Sequence, residues 1–298
     1  MELQWPLILF TTFVAWSAGL FGAQGAAALA GEGRRAHMPA LITAAVLLAV
    51  GGIAVFFHLE HWERIFNGFG NPTSGITQEL VCVVIVGILM VVAFVMLRKG
   101  GADAAEAASA PALPKWLAVC MVVAAVVLVL VTGHSYMMAA RPAWDSLLGP
   151  LSLLGAACAA GPATFALIEA ARDEATGPVI GLAALIGAAL NAVLTGAYLF
   201  AMEAAGASYT EVGYYFDPTH PTHGMEDMAA LSPFAGESVA MVIVALVAVI
   251  VPVVAAVLGR KSANWKLWGA LGVAGTVVGA AALRMAFYSV GASVYLFY

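Results

Sequence analysis

Long apolar runs, broken by short clusters of glycine, proline and charge, make up most of the chain. A helix needs about 20 such residues to cross the hydrocarbon layer of a bilayer. Eight segments qualify: 6–29, 39–58, 78–97, 115–133, 146–170, 178–202, 236–258 and 266–294. Pro6, Pro39 and Pro178 fall near predicted helix starts, where a missing N–H costs least. The last segment is long enough to tilt or to run past the bilayer. The pattern predicts an all-α integral membrane protein, an eight-transmembrane-helix bundle forming one domain over 1–298. Its long outer connections lie near 59–77 and 203–235.

Composition agrees with a lipid solvent. The 298 residues are 63% hydrophobic and 10% charged, whereas a soluble domain carries roughly 25% charged residues. A net charge of −5 argues against a nucleic-acid partner. The N-terminus has no basic n-region, and its apolar run is too long for a signal segment, so it reads as a retained first helix. Cys82, Cys120 and Cys158 each sit inside an apolar run, with no spacing suited to a cluster or metal. They read as small packing residues.

Charge predicts orientation. Arg34, Arg35, Arg98, Lys99, Lys115, Arg172, Arg260, Lys261 and Lys266 fall in the odd-to-even loops, against Arg64 and Arg141 opposite. The positive-inside rule puts the first set in the cytoplasm and both termini outside. The stretch 100–114, rich in Ala, Gly and Pro, reads as a flexible connector. The outer face carries Glu60, Glu63, Asp145, Glu211, Asp217, Glu226, Asp227 and Glu237 among many aromatics. Long loops of this composition tend to be functional.

Ionisable groups in or near a membrane each need a reason. His58 ends the second segment, Glu79 opens the third, His134 closes the fourth and Glu203 closes the sixth, all toward the outer boundary. Arg284 lies deeper, in the last helix, positioned to pair with Glu79 or to act on a site. A cavity bordered by such groups suits a quinol, whose oxidation releases two protons that need acceptors titrating near neutrality. Histidine is the natural first acceptor, a carboxylate can orient the head or relay the proton, and Trp62, Phe66 and Tyr288 can enclose the ring. The plainer reading makes His58 and Glu79 snorkelling interfacial residues and Arg284 part of a structural ion pair. A b-type haem would need opposed, buried imidazoles, and only His58 and His134 are candidates. His220, His223 and the acids of 217–227 suggest a metal, but two prolines leave the geometry unspecified. A loop packing on a partner fits that stretch better, and the tyrosine-rich 209–216 favours docking.

Certain residues carry a resemblance. The opening Glu2-Leu3-Gln4-Trp5-Pro6-Leu7-Ile8-Leu9-Phe10-Thr11, then Ala18-Gly19, resembles the start of the DmsC-like anchors, the membrane subunits of dimethyl-sulfoxide-reductase-type molybdoenzymes. His58-Leu59, Arg64-Ile65-Phe66-Asn67, Ser74-Gly75 and Gln78-Glu79-Leu80 are similar to that family's connection between helices 2 and 3. Gly161-Pro162 and Arg284-x-x-Phe287-Tyr288 also fit, so the resemblance spans the chain. It implies a membrane anchor that oxidises menaquinol and passes electrons to a ferredoxin-like subunit with four [4Fe-4S] clusters. A molybdopterin subunit holds the catalytic centre, so this chain would carry only the quinol half-reaction, with neither haem nor cluster of its own.

By position, His58 matches the family's quinol-binding histidine and Glu79 the nearby acid. Trp62, Arg64, Phe66, His134, Arg284 and Tyr288 complete the expected quinol site. The implied setting is a bacterial cytoplasmic membrane with the partners on its outer face. There are departures. Gly133-His134-Ser135-Tyr136 stands where the family has Arg ahead of the Tyr, Gln78 replaces an Asn, Glu60-His61-Trp62 replaces a Gly/Ser/Pro stretch, and the acidic 6–7 loop is long. They leave the quinone and the terminal substrate open. Two alternatives stand: a polysulfide-reductase-type quinone-interacting anchor, in which electrons can flow the other way, and a secondary transporter, for which no internal repeat is visible.

Overall fold

The computed structural model describes residues 4–58, 61, 67, 70–100, 112–206 and 231–292. Among these, the regular structure is eight helices long and apolar enough to cross a membrane, with no strand. They are α1 (Trp5–Ala30), α2 (His37–Phe56), α3 (Gly75–Gly100), α4 (Lys115–His134), α5 (Leu148–Ala171), α6 (Pro178–Ala205), α7 (Ser238–Ser262) and α8 (Trp265–Ser289). Lipid offers no partner to backbone N–H and C=O groups, so each apolar run must satisfy its own as helix.

Of the boundaries that differ from the hydropathy reading, three bear on the residues expected at the outer end. α2 stops at Phe56, which leaves His58 in the turn that follows. α3 begins at Gly75, three residues early, where a β-carbon would come 3.0 Å from the Ser135 Cα. α8 ends at Ser289 rather than 294: the Val290 N–H bonds the Ala286 carbonyl and the chain then leaves the helix. Hydropathy reports burial in lipid, while helix ends follow local packing and capping.

α1 and α5 form the centre, packing on each other and on α2, α4, α6 and α8. α3, the most hydropathic helix, is the least buried. In lipid a leucine-rich face gains nothing by leaving the solvent, so close packing of small residues decides which helices sit inside. Gly19 of α1 lies directly against the Ala157 carbonyl of α5, and Gly161 returns the contact onto the Gly19 carbonyl.

The two prolines inside helices show the same economy. Pro162 and Pro252 lack an N–H, which frees the carbonyls four residues earlier, Cys158 and Ala248. A glycine of the next helix approaches each one: Gly187 of α6 lies against the Cys158 oxygen, and a β-carbon on Gly275 of α8 would sit 3.1 Å from the Ala248 oxygen.

Short turns at 31–36, 172–177 and 263–264 join antiparallel pairs at one end of the bundle. We call this the basic end, because it holds Arg34, Arg35, Arg172, Arg260, Lys261 and Lys266. Here Glu32 accepts hydrogen bonds from Val179 N and Ile180 N at 2.9 and 3.1 Å, capping α6. At the opposite end α3 begins, α4 and α8 finish, and the connection 135–147 folds across them.

Candidate functional site

The site is built at that opposite end. Arg284, Phe287 and Tyr288 of α8 are spaced i, i+3 and i+4, so they share one face. Arg284 lies five residues before the end of α8, roughly 7.5 Å in at the helical rise. Glu79 stands four residues into α3, about 6 Å in by the same rise. Each therefore stands between one and two turns from the end of its helix, so Arg284 is not buried far along α8. The contact between Gly75 and Ser135 brings the start of α3 against the end of α4. Glu79 thereby meets Thr132 and comes within electrostatic reach of Arg284.

The 135–147 connection supplies an aromatic platform. Trp144 donates its indole N–H to the Phe287 carbonyl at 2.8 Å. Its ring stacks on Phe287 with centroids 4.4 Å apart and planes 12° apart. Arg141 lies over the Trp144 ring at 4.5 Å and donates to the Gly291 carbonyl. Tyr136 meets Phe287 edge-on at 6.2 Å, and Tyr198 of α6 closes the far side, donating to the Ala143 carbonyl at 3.3 Å.

Arg284 is 4% exposed and Glu79 8% exposed. They form no ion pair among the described residues, because the guanidinium lies over Phe287 at 5.1 Å and Tyr136 at 5.9 Å. Cation–π attraction of this kind stabilises a partly desolvated charge by ~0.5–2 kcal/mol. Four buried polar atoms remain without a hydrogen-bond partner here: Glu79 Oε1, Thr132 Oγ1, Arg284 Nη2 and Tyr288 Oη. Tyr136 stands outside the helices. Its hydroxyl is held well above the usual phenol range, first by burial and then by Tyr288 and Glu79; Arg284 pulls the other way but is outweighed.

Of the residues expected from sequence, Glu79, Arg284 and Tyr288 come together in this cluster. His58 and His134 lie at the same end but are exposed. Glu203, also exposed, accepts a hydrogen bond from the Ser232 hydroxyl. Trp62, Arg64 and Phe66 lie outside the described residues, as do 209–216 and 217–227. Among the described residues no three His, Cys, Asp or Glu side chains gather where a metal could be held. Thr132, Trp144 and Tyr198 join the cluster without having been singled out. Tyr136, noted only beside a departure from the family pattern, proves central. Its signal was present as an aromatic directly after a helix end on a functional-looking face.

An eight-helix membrane bundle with a buried polar cluster near one end defines a polytopic membrane protein. The family model for the DMSO reductase anchor subunit (DmsC) matches residues 1–290, and the chain belongs to that family. It is thus a multi-pass membrane anchor of a dimethyl-sulfoxide-reductase-type complex, whose catalytic and iron–sulfur subunits are its general kind of partner. No curated protein matches the chain.

Proposed function

We propose that this chain oxidises menaquinol at the Glu79 end of the bundle and passes the electrons to an iron–sulfur partner docked there. The observation that carries the reading is the convergence of four unpartnered buried polar atoms, on Glu79, Thr132, Arg284 and Tyr288. Buried polar groups in native proteins are nearly always satisfied, so donors and acceptors left open together favour a polar guest. A quinol head matches that set: hydroxyls for a carboxylate, oxygens for a guanidinium or a phenol, and a ring suited to aromatic neighbours.

In this reading His58 accepts the proton of one hydroxyl, and Glu79 orients the head and relays the other proton. Arg284 fixes the electrostatics of the site, while Trp62, Arg64, Phe66, His134 and Tyr288 border it. Two electrons leave for a [4Fe-4S] cluster of the ferredoxin-like partner and continue to the molybdopterin subunit. Two protons leave on the same side, which makes the step electroneutral. The basic end faces the cytoplasm by the positive-inside rule, so the termini and partners lie outside a bacterial cytoplasmic membrane.

The test uses the purified complex and compares turnover driven by quinol with turnover driven by a reduced dye that feeds the partner directly. His58→Ala and Glu79→Gln should each lower the quinol rate by about 100-fold, the scale of a lost acid–base group, and leave the dye rate intact. Unchanged quinol turnover and inhibitor binding in His58→Ala would remove that residue from the site. Molybdenum and iron copurifying through a partner is the accompanying expectation.

A further inference from the structure

The basic end holds a second pocket that the quinol reading does not use. Where the α5–α6 turn meets the α7–α8 turn, a cavity of about 220 Å³ is lined by Glu174, Thr176, Gly181, Arg260 and Trp265, among others. That is room for several water molecules at ~30 Å³ each, and for a small polar head. Trp265 is 4% exposed. It fits between α6 and α7 because two glycines leave space: a β-carbon on Gly259 would come 2.9 Å from its Cε3, and one on Gly181 3.7 Å from its Cζ2. The Arg260 side chain lies beside it, with its Cγ 3.6 Å from the same point at Gly181.

Neither the Trp265 indole N–H nor the Arg260 guanidinium has a hydrogen-bond or ion-pair partner among the described residues. Thr176 Oγ1 is buried and also unpartnered. Glu174 uses Oε2 to accept from Arg35 N at 3.0 Å, and Oε1 accepts nothing among the described residues. The neighbouring Lys266 is committed to Asp173 at 3.0 Å, which neutralises the rim there. The pocket wall therefore offers the exposed Arg260 guanidinium and the Trp265 indole N–H as anion donors, together with a free carboxylate oxygen.

A lone phosphate would satisfy the first pair and be repelled by the carboxylate. A head that carries a phosphate and an ammonium a few bonds apart satisfies both. The site lies at the level where α6 and α8 begin and α7 ends, the depth of lipid headgroups, where Trp and Arg anchor membrane proteins. We propose that this pocket binds the phosphoethanolamine headgroup of a membrane phospholipid. Its phosphate sits on Arg260 and the Trp265 N–H, and its ammonium on Glu174. Arg is suited to the phosphate because its planar fork can donate twice.

The complex, extracted in mild detergent and washed free of bulk lipid, is analysed by native mass spectrometry after exchange into phosphatidylethanolamine or phosphatidylglycerol. The wild type should retain one phosphatidylethanolamine per anchor. Arg260→Gln and Trp265→Phe should each lower that retention by about tenfold, as expected for a lost charge-assisted donor to the phosphate. Glu174→Gln should shift preference toward phosphatidylglycerol. Trp265→Phe keeps the packed ring, so it tests the donor even where Arg260→Gln fails to assemble. Quinol-driven turnover should stay within about twofold in all three, since none touches the proposed quinol site. A wild type that retains no lipid, or retention unchanged in Arg260→Gln and Trp265→Phe, overturns the proposal. So does soluble phosphoethanolamine displacing nothing while free inorganic phosphate protects the fold, which would mark a simple anion site.

Discussion

Two carboxylates are buried at opposite ends of this bundle, in different company. Glu79 meets a hydroxyl, Thr132, with the Arg284 cation and the phenols of Tyr136 and Tyr288 in electrostatic reach. Glu169, at the basic end, is 0% exposed, with neither oxygen hydrogen-bonded. Its surroundings are Gly33, Phe165, Thr176 and two further acids, Glu32 and Glu174. Glu32 spends both oxygens on capping α6, and Glu174 spends Oε2 on the backbone N–H of Arg35 and keeps Oε1 open. In the proposed reading the neighbours of Glu79 exchange onto a substrate, whereas those of Glu169 come mostly from the 31–36 and 172–177 turns that meet at the basic end. Burial alone therefore does not distinguish the two carboxylates; the chemistry of their neighbours does.

The sharpest way to break this contrast is to neutralise each acid. Glu79→Gln should lower quinol-driven turnover on the order of 100-fold, while Glu169→Gln should leave it within about twofold. Equal losses in the two variants would mean the site is not localised at the Glu79 end. Next in size is the counter-charge. Arg284→Gln removes the cation held over Phe287 and Tyr136 and isolates Glu79, and should destabilise the chain by about 3 kcal/mol in a reversible unfolding titration in mixed micelles. Combined with Glu79→Gln, the loss should be smaller than the sum of the two; strict additivity would show that the two groups do not interact.

A smaller effect concerns Tyr136. The folded protein keeps its proton well above the usual phenol range, while the unfolded chain releases it near the ordinary value of ~10. The unfolded state then binds fewer protons, so the contribution of Tyr136 to stability is whole below that pH and declines as pH rises beyond it. Tyr136→Phe should flatten the fall in thermal midpoint above about pH 10; an unaltered slope would show that the hydroxyl is not shielded. The smallest effect belongs to Asp173, held below the usual carboxylate range by its hydrogen bond to Lys266 and by that lysine's charge. Its contribution is present above that range and lost as pH falls into it. Because the pair is exposed to water, Asp173→Asn should leave the thermal midpoint at neutral pH unchanged within error.

The eight helices were legible from hydropathy because the constraint behind them is one-dimensional: in lipid a chain segment must bond its own backbone, and a run of apolar residues reports that requirement directly. Glu79 and Arg284 were legible as functional candidates for a related reason, since a charge inside such a run is costly wherever its helix stands. The exposure of His58 was not legible, because it depends on α2 stopping at Phe56 rather than two residues later.

Pairing between helices was hidden for a deeper reason. Lipid tails are as apolar as leucine, so hydropathy does not say which helix faces which. The chain has 31 glycines, and sequence does not say which of them, like Gly19, Gly161 and Gly187, form the contacts that put α5 between α1 and α6. The number of helices and the presence of costly charges were thus properties of the sequence alone. The meeting of Glu79 from α3, Thr132 from α4, Tyr136 from the 135–147 connection and Arg284 from α8 was decided only by tertiary packing. Their convergence brings together residues as far apart in the chain as Glu79 and Arg284, which no local pattern records.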